Sequence, residues 1–161
     1  MHVYELRTEI RVPGRIDEVF AFFADAGNLE LLTPPWLKFE IITPRPIEMR
    51  VGALIDYRIW LRIVPMRWRT RITAWEPPFR FVDEQIRGPY RQWIHEHTFE
   101  QIGEEVAIRD CVRYAVPGGP GIERLAHALF VKPDLRRIFG YRVEAMKRLL
   151  PEQTTGKMAM V

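Results

Sequence analysis

Serine is absent from this 161-residue chain, and cysteine occurs once, at Cys111. The first absence removes serine-centred nucleophilic catalysis. The second removes an intramolecular disulfide and any zinc centre built from cysteines, and it fits a reducing compartment. Long uncharged apolar runs are missing too. The first twenty residues carry His2, Glu5, Arg7, Glu9, Arg11, Arg15, Asp17 and Glu18, which leaves no place for a signal-peptide core, and no later run suits a bilayer span. A soluble, cytoplasmic protein is the expectation. Dense basic runs are also lacking: the formal net charge of +3 comes from 24 basic residues that alternate with 21 acidic ones. Without an aromatic-and-basic motif, that pattern reads as a solvated surface and argues against a nucleic-acid partner.

What the chain does contain is enough apolar material for one core, with 47% hydrophobic and 12% aromatic residues. We read residues 1–151 as a single domain and 152–161 as a flexible tail. The segment VYELRTEIRV alternates as a strand and ends at Pro13-Gly14. Ile16, Val19, Phe20 and Phe23 then recur at helical spacing, and NLELL forms a second short helix stopped by Thr33-Pro34-Pro35. Six strands follow, at about 36–43, 52–63, 66–76, 79–87, 90–101 and 105–116, separated by proline and glycine turns. Links this short make neighbouring strands antiparallel. After VPGGPG, helical spacing resumes with Leu125, Leu129, Phe130, Ile138, Phe139 and Met146, which are expected to cover the sheet, with a kink at Pro133.

This order predicts an α+β helix-grip fold, a curved antiparallel sheet wrapped around a long C-terminal helix. In that order, and in NLELLTPPWLKFEI, AWEPPFRFVDEQIRGPYRQWIHEHTFE and DCVRYAVPGGPG, the chain resembles the START-like helix-grip (SRPBCC) superfamily, the polyketide cyclase/dehydrase and lipid-transport group. The resemblance covers about residues 3–150. It implies a ligand cavity between sheet and helix, and it implies no metal and no cofactor.

The stretch RQWIHEHTFE places Trp93, His95, His97 and Phe99 on one face of a strand. The IGEE turn allows a register that sets Phe99 against Ile108, His97 against Asp110, His95 against Val112 and Trp93 against Tyr114. The other face then pairs Thr98 with Arg109, Glu96 with Cys111 and Ile94 with Arg113, leaving Glu96 between two diagonal arginines. The preceding hairpin would bring Gln85 opposite Trp93 and Asp83 opposite His95. Trp93, His95, His97, Phe99, Tyr114, Asp83, Gln85 and Phe130 are therefore the expected ligand-binding residues, with Trp93 the foremost among the five tryptophans.

Two histidines at H-x-H spacing can share a metal with Asp110 or Asp83, but chance meets that spacing easily, and a hydrogen-bonded His–Asp pair is the preferred reading. His97 and Asp110 are the catalytic candidates if the protein is an enzyme of the cyclase or dehydratase kind, the carboxylate fixing the tautomer and the imidazole moving a proton. The favoured function is binding or carriage of a small hydrophobic or amphipathic molecule without a cofactor. A proton-transfer enzyme and a protein-interaction module are the alternatives. Arg136, Arg137, Arg142, Lys147 and Arg148 form either a solvated face of the last helix or a site of transient contact with a membrane surface.

Overall fold

In the computed structural model, which describes residues 1–150, seven strands form one antiparallel sheet in the order β1-β7-β6-β5-β4-β3-β2. They are β1 (Tyr4–Pro13), β2 (Glu40–Ile41), β3 (Leu54–Leu61), β4 (Val64–Glu76), β5 (Arg80–Arg87), β6 (Gln92–Ile102) and β7 (Glu105–Ala115). Helices α1 (Ile16–Ala24) and α2 (Leu29–Leu32) follow β1. The chain then ends in α3 (Ile122–Ala126), one π-helical turn (His127–Val131) and α4 (Lys132–Leu149). The β4–β5 ladder shifts register twice, with Ile86 of β5 left over at Arg69/Thr70 and Thr73 of β4 at Ile72/Ala74, and such irregularities bend and twist the strands and so help the sheet to curve. The expected tail at 152–161 lies outside the described residues.

The expected strand at 36–43 shrinks to two residues. Pro35–Leu37 instead form a 3-10 turn that ends at Lys38, whose φ of 44° takes the chain out of extended geometry. The β6–β7 register is as the turn predicted, from Trp93↔Tyr114 through His97↔Asp110 to Phe99↔Ile108. Asp83 lies opposite His95 as well, although the β5–β6 ladder stops at Glu84↔Ile94 before reaching Gln85 and Trp93. On the outer face, Glu96 pairs with Arg80 at 2.8 Å, while Arg109 goes to Glu9 and Glu100, so the expected diagonal arginine pairs are replaced.

Two apolar clusters fill the space between sheet and helices. One gathers Phe20, Phe23, Phe81, Phe99, Ile108 and Met146 beneath α1 and the end of α4. The other gathers Trp68, Trp93, Val112, Tyr114, Leu135 and Phe139 at the opposite end. Burying one such side chain contributes roughly 1.5–3 kcal/mol, so the two clusters dominate the favourable side of folding.

The apolar stripe expected on the last helix is only half right. Leu135, Phe139 and Met146 are buried, whereas Leu125, Leu129 and Phe130 are 62%, 58% and 50% exposed. The buried positions before α4 are polar, Glu123 and His127, four residues apart and in step with Leu135 and Phe139. Apolar spacing therefore selected the wrong face of that first segment. The irregularity also precedes Pro133: Lys132 N–H donates to His127 O in the wide π turn, immediately before Pro133, a residue that has no N–H to offer the preceding turn.

Candidate ligand-binding site

Between the two apolar clusters lies a band of polar residues contributed by four strands and α4. Thr8 on β1, Asp110 on β7, His95 and His97 on β6, Asp83 on β5 and Arg142 on α4 meet there, and all but Asp83 are buried. Strand alternation brings them together. Thr8↔Asp110, Asp110↔His97 and His95↔Asp83 are direct cross-strand partners whose side chains share the concave face. Arg142 reaches that face from above because it occupies the helix stripe of Phe139 and Met146.

The side-chain bonds do not follow the ladder. His95 Nε2 is 2.9 Å from Asp110 Oδ1, and His97 Nε2 is 2.7 Å from Asp83 Oδ2. His97 Nδ1 lies 2.9 Å from Asp110 Oδ1, but at an angle that makes no hydrogen bond, so its ring has one directed partner. Arg142 Nε donates to Asp110 Oδ2 at 3.1 Å, and Thr8 Oγ1 approaches the same oxygen at 3.5 Å. Burial works to raise the Asp110 carboxyl, yet Arg142 and the two histidines hold it well below the usual carboxylate range. Burial likewise opposes ionisation of Asp83, and the His97 bond with the nearby positive charge holds it low. The histidines diverge. Burial and the charge of His97 push His95 down, whereas the Asp83 and Asp110 carboxylates beside its ring overcome burial and raise His97.

A cavity of about 180 Å³ opens beside this band. At about 10–15 Å³ per water that is room for roughly a dozen waters, or a small organic molecule. Its walls include Leu32, Ile55, Ile59, Trp68, Ile72 and Phe139, and Asp83, His95, His97 and Arg142 give it a polar side. Tyr57, whose phenol burial pushes well above its ordinary range, contacts Thr70 at 3.3 Å on the same lining.

Of the residues expected at the site, Trp93, His95, His97 and Asp83 line the cavity. Phe99 does not: it is packed edge-on against Phe20 and Phe23 in the cluster under α1. Tyr114 is turned toward the π turn and bonds His127 Nε2 at 2.9 Å. Gln85 closes the turn before β6, donating to Tyr90 O at 2.7 Å. Phe130 is half exposed beneath the Arg62 guanidinium. Asp110 sits behind the histidines, its side chain 1% exposed against 19% for Asp83. Arg142, grouped with the exposed basic residues by its charge, is buried at the site's centre. Its place in the stripe with Leu135, Ile138 and Phe139 was the signal that it points inward. His127, which the sequence reading missed, stacks on Tyr4 with ring centroids 3.5 Å apart beside a smaller cavity of about 120 Å³ lined also by Lys132 and Arg136.

A sheet gripping a terminal helix around such a cavity defines a helix-grip protein. Residues 12–138 match the family described as polyketide cyclase / dehydrase and lipid transport, and the chain belongs to that family. No curated protein matches it in sequence. Solved structures of similar fold include a Thermus thermophilus protein, 20% identical over 90% of this chain and 95% of that one, with a TM-score of 0.63. The ZhuI aromatase/cyclase of a Streptomyces species is 14% identical over 92% and 96% of the two chains, with a TM-score of 0.63. Norcoclaurine synthase from Thalictrum flavum, in complex with dopamine and hydroxybenzaldehyde, is 14% identical over 94% and 90%, with a TM-score of 0.64. At these identities the likeness is one of fold. No helix among the described residues is long and apolar enough to cross a membrane.

Proposed function

We propose that the protein binds and carries a small amphipathic molecule, its apolar body among Ile59, Trp68, Trp93 and Phe139 and its polar end against Asp83, His95, His97 and Arg142. The observation that carries this reading is that Asp83, His95, His97 and Arg142, linked through Asp110, stand together on a lining that is otherwise mostly apolar. Such a wall orients a ligand by one polar end and accepts its remainder by shape. Family membership supports the same class of ligand. Native mass spectrometry and organic extraction of the purified protein test the proposal. A molecule retained by the wild type and lost on Trp93→Ala is the expected result; a cavity that retains nothing and takes up no hydrophobic dye overturns it.

A second reading, proton-transfer chemistry of the cyclase or dehydratase kind, is favoured by the opposed shifts of adjacent His95 and His97. Groups whose proton affinities are driven apart can serve as acid and base. In that reading His97 with Asp83 faces the substrate, and Asp110 is a positioning residue, because Asp110 does not reach the cavity. Turnover of a retained ligand, abolished by His97→Gln while binding persists, would favour it over carriage.

A further inference from the structure

The cavity face of the polar band brings together three atoms able to act as acceptors. His97 Nε2 is 2.7 Å and His95 Nδ1 is 3.7 Å from the same atom, Asp83 Oδ2. On the far side, His95 Nε2 and His97 Nδ1 each lie 2.9 Å from one oxygen of Asp110. An ionised Asp110 can only accept, so its bond to His95 fixes a proton on Nε2 and leaves Nδ1 of the neutral ring as a lone pair directed at another acceptor, Asp83. One ligand atom from each of Asp83, His95 and His97 lies within 4.8 Å of the others, so a cation set among them would meet all three as acceptors.

We propose that Asp83, His95 and His97 form a binding site for one divalent first-row transition-metal ion, zinc being the probe of choice, held through Asp83 Oδ2, His95 Nδ1 and His97 Nε2. Two imidazoles and a carboxylate suit zinc, cobalt or ferrous iron, whereas magnesium and calcium prefer oxygen donors. Tetrahedral bonds of about 2.0–2.1 Å put ligand atoms about 3.3 Å apart; the two separations from Asp83 Oδ2, 2.7 and 3.7 Å, straddle that value, and the ligand atoms of the three residues all lie within 4.8 Å of one another. Asp110 is placed as the outer partner that metal-bound histidines commonly have, and Arg142 and Thr8 hold its second oxygen. Turning His97 so that Nε2 leaves Asp83 for the ion also lets Nδ1, the buried nitrogen now without a directed bond, donate to Asp110. All three ligands line the cavity. This inference rests on the side-chain cluster alone and does not require an organic ligand.

Tag-free protein stripped with a chelator and titrated with Zn²⁺ by calorimetry, and with Co²⁺ by visible absorption, tests it. One ion per chain is expected. His95→Gln, His97→Gln and Asp83→Asn should each weaken binding at least tenfold, and Asp110→Asn by roughly tenfold to a hundredfold. His127→Gln, outside the cluster, should leave affinity unchanged. X-ray absorption of the zinc-loaded wild type should show scattering from two imidazoles, a readout that stands if a variant fails to fold. Absence of stoichiometric binding overturns the proposal, as does binding unaffected in folded His95→Gln and His97→Gln proteins or a zinc spectrum without imidazole. Ligand uptake with no metal binding would leave the carrier reading standing and remove only this one.

Discussion

Asp110 bonds His95, although the residue opposite it in the β6–β7 ladder is His97. The same diagonal choice ties Asp83 to His97 while Asp83 faces His95 across β5 and β6. Two carboxylates, one from each neighbouring strand, thus clamp two imidazoles whose centroids are 3.7 Å apart. With Arg142 capping Asp110 from α4, sheet and helix are fastened at the boundary between the two apolar clusters.

That fastening predicts strong coupling between Asp110 and Arg142. Removing the cation by Arg142→Met leaves a buried carboxylate short of its partner and should cost about 3–5 kcal/mol. Asp110→Asn should cost a similar amount. The double change should cost clearly less than the sum, because each single change strands the charge the other removes. Urea denaturation of the four proteins measures the cycle, and strict additivity would show that the pair is not coupled.

Phe99 and Trp93 share a strand face but belong to different parts of the interior. Phe99→Ala should destabilise by about 3–5 kcal/mol and leave dye affinity in the remaining folded protein within about twofold. Trp93→Ala should lower that affinity at least tenfold, and Thr98→Ala, on the outer face, should change neither quantity appreciably. Equal effects of Trp93→Ala and Thr98→Ala on fluorescent-ligand uptake would contradict the placement of Trp93 on the cavity wall.

Much of this arrangement is legible in the sequence because a strand has period two and a tight turn fixes register. RQWIHEHTFE, IGEE and the following strand suffice to place His95, His97 and Asp110 on one face. Which carboxylate bonds which histidine is not legible, since ladder partners and diagonal partners differ by only a few ångströms and side-chain torsions decide between them. For Arg142 and His127 the residue type argues for solvent, although helix spacing gave Arg142 an inward place. What decides their burial is a polar partner on β7, Asp110 for one and Tyr114 for the other. Phe130 shows the converse failure, for an apolar side chain at helical spacing can still face outward when polar residues occupy the inner stripe.

The Tyr114–His127 contact makes that inner stripe testable. Burial pushes the Tyr114 phenol up to about 12, with Tyr4 adding to the shift, and burial lowers His127, with Lys132 adding to it. A protonated Tyr114 can therefore donate to neutral His127 at neutral pH. Tyr114→Phe should remove one buried hydrogen bond and cost about 1–3 kcal/mol, with hydrogen exchange accelerated in the π turn at His127–Val131. Unchanged exchange there would mean that the bond does not hold the turn to the sheet.

The histidines of the band should give opposite signatures in the pH dependence of stability of the chelator-treated protein. His97 is raised in the folded state, so its stabilisation is fully present below the unfolded histidine value of about 6.5 and is lost as pH rises through the folded value. His95 is lowered, so its contribution is present above about 6.5 and is lost as pH falls toward the folded value. Asp83 and Asp110 are also lowered, and their contributions are present above about 3.9 and are lost in more acid solution. The unfolding free-energy difference between wild type and His97→Gln should therefore shrink from mildly acid to mildly alkaline pH, while the difference for His95→Gln grows over the same interval. Urea titrations at half-unit steps from pH 5 to pH 9 would resolve the two slopes. Parallel slopes would show that the imidazoles share one environment, contrary to the separate roles that their diagonal bonds to Asp83 and Asp110 assign them.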